Sequence, residues 1–192
     1  MADVFQLDGF TIRRKLFSLI DVKFHVYDSA ENVVGFCLLK GFKLKEDVRI
    51  FSGEDMGTQL LQIGARSVID FGATYDVSDA RTGERVGSLR RKGIKSILRD
   101  EWHVFDAAGS QIGVIREDHL GLALLRRLLG GIIPQSYDFQ VGGVEAMRIA
   151  QRFNPFILKM DCSFRNTGTV FLDRRLGLAA ALLLCAIEGR QE

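Results

Sequence analysis

No part of this chain is apolar for the roughly 20 residues that a membrane-spanning helix requires. The uncharged tail that runs from Leu176 to Ile187 is too short for that. The N-terminus, MADVFQLDGF, has early acids and no apolar leader, so it reads as neither a secretory signal nor the start of an exported outer-membrane barrel. Cysteine is scarce and odd in number. Cys37, Cys162 and Cys185 lie far apart and build no disulfide framework, as expected of a reducing cytoplasm. An excess of one charge is missing as well. With 26 Lys and Arg against 24 Asp and Glu, the net +2 sets up no global field toward nucleic acid or membrane, so any such attraction has to be local. The sequence holds no GxSxG elbow, P-loop, HExxH or CxxC. Proline occurs twice, at Pro134 and Pro155, each between apolar runs where strands start or bend.

What is present reads mostly as short strands. The 192 residues, 47% hydrophobic, suffice for one domain with a substantial core, and no linker or low-complexity tract divides residues 1–192. A unit recurs: HVYDSAENVVGF from His25, TYDVSDARTGERVGSL from Thr74, HVFDAAGSQIGVI from His103, and a degenerate SYDFQVGGVEAMRI from Ser136. Each has an apolar and aromatic strand, a turn of Asp, Ala, Gly, Asn or Ser, and a second strand that opens on a β-branched residue. Gly and Asn accept positive φ and Asp bonds its own local backbone, so these units are β-hairpins. Gly35, Gly87 and Gly113 follow the β-branched residue in the first three, and at Gly87 and Gly113 this predicts close backbone approach or a bulge.

Two segments read as helix. One runs from Glu117 to Gly131, with Asp118 as its cap and a stripe of Leu120, Leu124, Leu125 and Leu128. The other is the tail, capped by Asp173 and stopped by Gly189, with Leu, Ala and Cys on every face. A helix apolar all round has to be surrounded by protein. Many strands need protected edges, which closure into a barrel provides. A barrel of more than about eight strands has an interior its own side chains do not fill. The tail is therefore expected to plug it, with Gly177, Ala179, Ala180 and Ala181 letting the helix sit close to the wall.

The segments KLFSLIDVKFHVYD, YDVSDARTGERVGSLRRKGIKSILRDEWHVFD and FLDRRLGLAAALLLCAIE resemble the LURP-one-related family, over nearly the whole chain. That family shares the tubby C-terminal-like fold with tubby proteins and phospholipid scramblases. The resemblance implies a closed antiparallel barrel of about twelve strands around a hydrophobic C-terminal helix, and so a mainly β fold with one buried helix. Tubby domains bind phosphoinositides through basic surface residues, and no such position is carried over here. Scramblases are associated with an acidic calcium-binding segment before the last helix. Here that region reads NTGTVFLDRRLG with Asp173 alone among the acids, whereas calcium wants about six to eight oxygens, so no metal site is carried over.

Few residues offer chemistry. His25 and His103 fall at equivalent points of the repeat, which favours a structural role, as turn chemistry does for Asp28, Asp79 and Asp106. Cys185 sits in the apolar helix as inert core. RDEW at Arg99 to Trp102 reads as a salt-bridged strand end. The densest functional signal is RVGSLRRKGIKSILR, where Arg90, Arg91, Lys92 and Lys95 form an anion- or lipid-binding patch. Alternation puts Arg90 and Lys92 on one face and Arg91 on the other, with Gly93 as a turn or bulge. The expectation is a cytoplasmic protein, peripheral at the membrane, with no catalytic residues, no metal and no cofactor. It would be a binding module that docks weakly to anionic phospholipid or phosphoinositide headgroups. The rival is a barrel that presents loops to a protein partner and has no lipid role. Nucleic acid is not expected, since Trp102 is the only ring near the patch to stack on bases.

Overall fold

Twelve strands follow one another along the chain and close on themselves. The computed structural model describes residues 3–15, 21–40, 47–66, 73–92, 101–117, 134–154, 156–165, 168 and 170–187. The strands are Gly9–Lys15 (β1), Asp21–Tyr27 (β2), Val33–Lys40 (β3), Asp47–Phe51 (β4), Gln59–Ala65 (β5) and Thr74–Asp79 (β6). They continue with Arg85–Arg91 (β7), Glu101–Asp106 (β8), Gln111–Glu117 (β9), Ser136–Val141 (β10), Val144–Arg152 (β11) and Ile157–Phe164 (β12). Each pairs antiparallel with its neighbours in sequence, and β1 pairs with β12 to close the barrel. One helix, Arg174–Ile187 (α1), follows β12.

All four recurring units are hairpins: β2–β3, β6–β7, β8–β9 and β10–β11. Their turns are made by the residues the sequence offers. Asp28 Oδ1 accepts from the amides of Ala30 and Asn32 at 2.9 and 2.8 Å, and Asp106 Oδ1 accepts from Ser110 N at 2.8 Å. The fourth turn is Gly142–Gly143, both at positive φ, as a two-residue hairpin of this hand demands.

The repeat glycines share one register position. Gly35, Gly87 and Gly113 stand opposite Val26, Val77 and Val104, and in each hairpin the register shifts immediately after that valine. The strands crowd at these bulges. A Cβ at Gly113 would lie 2.1 Å from the Gln140 carbonyl oxygen, and one at Gly87 would lie 2.4 Å from that of Phe105.

Inside the barrel the alternation is apolar. Ile12, Phe24, Ile50, Leu61, Leu89, Val104, Ile115, Phe139 and Ile149 are buried, one from each of nine strands. They pack on α1, whose residues from Leu176 to Ala186 are all buried. Asp173 caps the helix as its sequence predicts, its Oδ1 accepting from Arg175 N at 2.9 Å. Gly177 lets the first turn press on the wall, since a Cβ there would lie 2.6 Å from the Phe164 ring. The outer face carries Arg, Lys, Glu and Asp, the reverse of the apolar-out pattern of a membrane-spanning barrel. Among the described residues no helix is long and apolar enough to cross a membrane. Glu117 ends β9 and does not open a helix; the rest of the expected helix, 118–131, lies outside the described residues, as do Gly189 and Pro155.

Candidate functional site

The cationic run of β7 splits as strand alternation requires. Arg90 and Lys92 face outward and are exposed, while Arg91 faces inward toward Tyr75. Lys95 and Gly93 lie outside the described residues. Lys92 Nζ is 3.0 Å from Glu101 Oε1 across the β7–β8 pair. The same carboxylate takes Arg116 Nε at 2.8 Å and His103 Nε2 at 3.1 Å. Burial alone would raise the Glu101 carboxyl, but hydrogen bonds from Arg116 and Lys92 outweigh it and hold it at about 2. The row continues by register: Glu101 faces Arg116, Arg116 faces Asp138, and Asp138 faces Arg148. From β7 to β11 the outer wall thus alternates cation, anion, cation, anion, cation. Such a ladder neutralises itself, so Lys92 is a strut of the sheet. Arg90 makes no ion pair among the described residues, and its guanidinium lies 4.7 Å from the centre of the Phe105 ring.

The wall that runs on from β11 through β12 and β1 to β2 is different. Arg152 on β11 is the register partner of Lys159 on β12, Lys159 that of Arg13 on β1, and Arg13 that of His25 on β2. Four basic side chains stand abreast on four adjacent strands, roughly 5 Å apart, with no acid between them. Their counterions hang to one side. Arg152 is bonded to Asp161, Arg13 to Glu31 and His25 to Glu54, while Lys159 has no ion pair among the described residues. Glu31 and Glu54 are 65% and 63% exposed, so these pairs are worth about 0–1 kcal/mol each and exchange readily with another anion. Arg13 is also held flat by the Tyr27 ring, 4.3 Å from its guanidinium.

Beside this row, the β11–β12 turn displays Phe153 and Phe156, 62% and 68% exposed. Asn154 Oδ1 accepts from the amides of Phe156 and Ile157 at 2.9 Å each and fixes the turn between them. Neither the row nor the aromatic pair is evident as a run of charge in the sequence. The available signal is two phenylalanines flanking Asn154-Pro155, a turn dipeptide where apolar residues are out of place.

A third feature is a cleft of about 410 Å³ at the start of α1, lined by Phe5, Arg81, Phe171, Asp173, Arg174 and Arg175 among others. Its cations are all engaged. Arg175 reaches Asp173 at 2.7 Å, Glu84 at 2.8 Å and Asp79 at 3.3 Å; Arg81 reaches Asp79 at 3.0 Å and Arg174 reaches Asp8 at 2.7 Å. The hydrogen bond from Arg81 is the main cause that holds the Asp79 carboxyl at about 2. This network clamps the helix entrance to the hairpin turn of β6–β7.

The three thiols are closed off. Burial pushes the thiols of Cys37 and Cys185 up to about 12 and that of Cys162 up as well. Among the described residues no group of His, Cys, Asp and Glu is arranged to hold a metal ion. Compared with protein-family models, curated proteins and solved structures, the chain matches none.

Proposed function

We propose that this protein is a non-enzymatic binding module that docks weakly and reversibly on anionic phospholipid or phosphoinositide headgroups. The observation that carries the reading is the row Arg152, Lys159, Arg13 and His25, an unbroken line of basic side chains on four adjacent strands. Two of its counterions, Glu31 and Glu54, are exposed and cheap to displace, and Lys159 has none among the described residues. A cation near an anionic membrane gains about 1 kcal/mol, so Arg152, Lys159 and Arg13 together supply roughly 3 kcal/mol, a factor of about 100. The β7 cations contribute less on this reading. Lys92 is engaged by Glu101 and Arg91 faces inward, so these side chains have less charge to offer a membrane. The absence of chemistry in this reading rests on thiols raised by burial and imidazoles bonded to surface acids. Membership of the LURP-one-related family, with its tubby-like fold, belongs to the same proposal and rests on the sequence segments quoted above.

The test is co-sedimentation with liposomes of phosphatidylcholine alone, or with added phosphatidylserine or phosphoinositide, at low and high salt. The triple change Arg13→Gln, Lys159→Gln, Arg152→Gln should lower partitioning onto anionic liposomes by about 100-fold at low salt. The quadruple change Arg90→Gln, Arg91→Gln, Lys92→Gln, Lys95→Gln should lower it much less. Binding should fall with salt, since exposed charges are screened beyond about 8–10 Å near physiological ionic strength. Loss through the quadruple change alone would return the site to β7. No binding of the unaltered protein to any anionic liposome would leave a protein-interaction barrel as the better reading.

A further inference from the structure

We infer that the β11–β12 turn is a membrane-inserting tip, with Phe153 and Phe156 entering the headgroup layer of an anionic bilayer while Arg152 and Lys159 hold its phosphates. This rests on the lipid-docking reading above and adds to it the element that enters the membrane and the orientation of the barrel. The turn joins the two strands that supply Arg152 and Lys159. Aromatic rings and cations are thus mounted on one hairpin, the pairing that interfacial anchors use.

The exposure of these rings is built in. Asn154 accepts from the backbone amides of Phe156 and Ile157, so these two N–H groups are satisfied locally, and the rings stand outside the core. A rigid turn with satisfied amides enters a poorly hydrated layer at lower cost than one with free N–H groups. The other exposed large apolar residues among the described ones, Met56, Val144 and Phe171, stand singly. Phe171, although 83% exposed, lies at the opposite end of the barrel, in the cleft where Arg81, Arg174 and Arg175 are already bonded to Asp79, Asp8, Glu84 and Asp173.

Charge at the opposite end works in the same sense. The connections that follow β2, β4, β6, β8, β10 and β12 present Asp28, Glu31, Glu54, Asp55, Glu84 and Asp173 among the described residues, against Arg81 and Arg165. The end that carries the Phe153–Phe156 turn has Arg152 and Lys159 beside it. A bilayer rich in acidic lipid would meet that end, and a neutral or cationic partner would not be selected by it.

Three proteins decide it. On phosphatidylserine-containing vesicles, the double change Phe153→Ser, Phe156→Ser should partition at least tenfold more weakly than the unaltered protein, with its salt dependence unchanged. Phe171→Ser, an equally exposed ring at the far end, should partition as the unaltered protein does. Phe156→Trp should gain a blue-shifted emission on these vesicles, quenched by lipids brominated in the upper acyl chain, over the background of Trp102. If the unaltered protein partitions but the double change does not weaken it, or the Phe156→Trp emission is unmoved, the insertion is wrong and surface docking stands. If the unaltered protein does not partition, both fail. Equal binding to neutral and acidic vesicles would overturn the role of the cations and keep that of the rings.

Discussion

Replacing Gly113 with alanine should be among the most costly single-methyl additions in this protein. The added Cβ would stand 2.1 Å from the Gln140 carbonyl oxygen and 3.1 Å from its carbon, against a floor near 3.0 Å for real Cβ contacts. The neighbour is backbone of β10, held in a ladder on both sides, so no rotamer change relieves the clash. The strands must part by close to 1 Å. A ladder hydrogen bond near 2.9 Å does not survive that displacement. Overpacking costs about 1–3 kcal/mol, and one lost ladder bond adds about 1 kcal/mol, giving roughly 2–4 kcal/mol in all. For a domain of this size that lowers Tm by roughly 5–15 °C. Gly87→Ala, at 2.4 Å from the Phe105 carbonyl oxygen, belongs to the same class. Gly64 on β5 is the control, because a Cβ there meets nothing within 4 Å. Gly64→Ala should be neutral or stabilise by up to about 1 kcal/mol through the unfolded chain. The assay is urea unfolding by circular dichroism with calorimetry alongside, with the urea slope compared across the three variants. A Gly113→Ala protein within about 0.5 kcal/mol of the parent would refute the close-approach reasoning, and so would equal losses at Gly64 and Gly113.

Three further outcomes are expected. Leu183→Ala should cost roughly 2–5 kcal/mol in denaturant unfolding, because the side chain is buried inside the barrel; a smaller loss would mean the helix packs loosely. Ellman's reagent should titrate none of Cys37, Cys162 and Cys185 in the native protein at pH 8 and all three in guanidinium; a fast native thiol would contradict their burial. Glu101 is held below its unfolded value, so its stabilisation is full above about pH 4.5 and is lost as pH falls toward 2. The unfolding free-energy gap between Glu101→Gln and the parent should therefore close over that range, from roughly 1–2 kcal/mol after allowance for its exposed partners. A gap that persists at pH 2 would show that packing, not charge, is at stake.

The hairpins were legible because turn residues and strand residues announce themselves within a dozen positions, as Asp28, Asp106 and Gly142–Gly143 illustrate. The plug was legible because an uncharged helix has only one place to go. Closure itself was an inference from edges, and the pairing of β1 with β12 bears it out. The basic row was not legible. Arg13, His25, Arg152 and Lys159 come from four strands, and only the register that closes the barrel brings them abreast. The run at Arg90, Arg91 and Lys92 poses the converse problem. It holds no acid of its own, and only the register shows that Glu101 on the next strand bonds Lys92 and that Arg91 points inward. A local excess of charge in a strand says little until the partners across the ladder are known.

The closure of β1 on β12 also fixes an order of events for the folding chain. Eleven of the twelve strand pairings join neighbours in sequence and can form as quick local hairpins. The twelfth sets Gly9 opposite Ser163 and has to wait for nearly the whole chain. The helix comes later still, and once the ring is shut an apolar rod has no way in. Insertion of α1 and zipping of β1 to β12 are therefore one step, which carries the loop-closure entropy of the molecule. Until it happens the curled sheet offers two open edges, β1 and β12, and a bare apolar lumen. At high concentration a second chain can supply the missing strand as easily as the first, so strand-swapped dimers are the misassembly this topology invites.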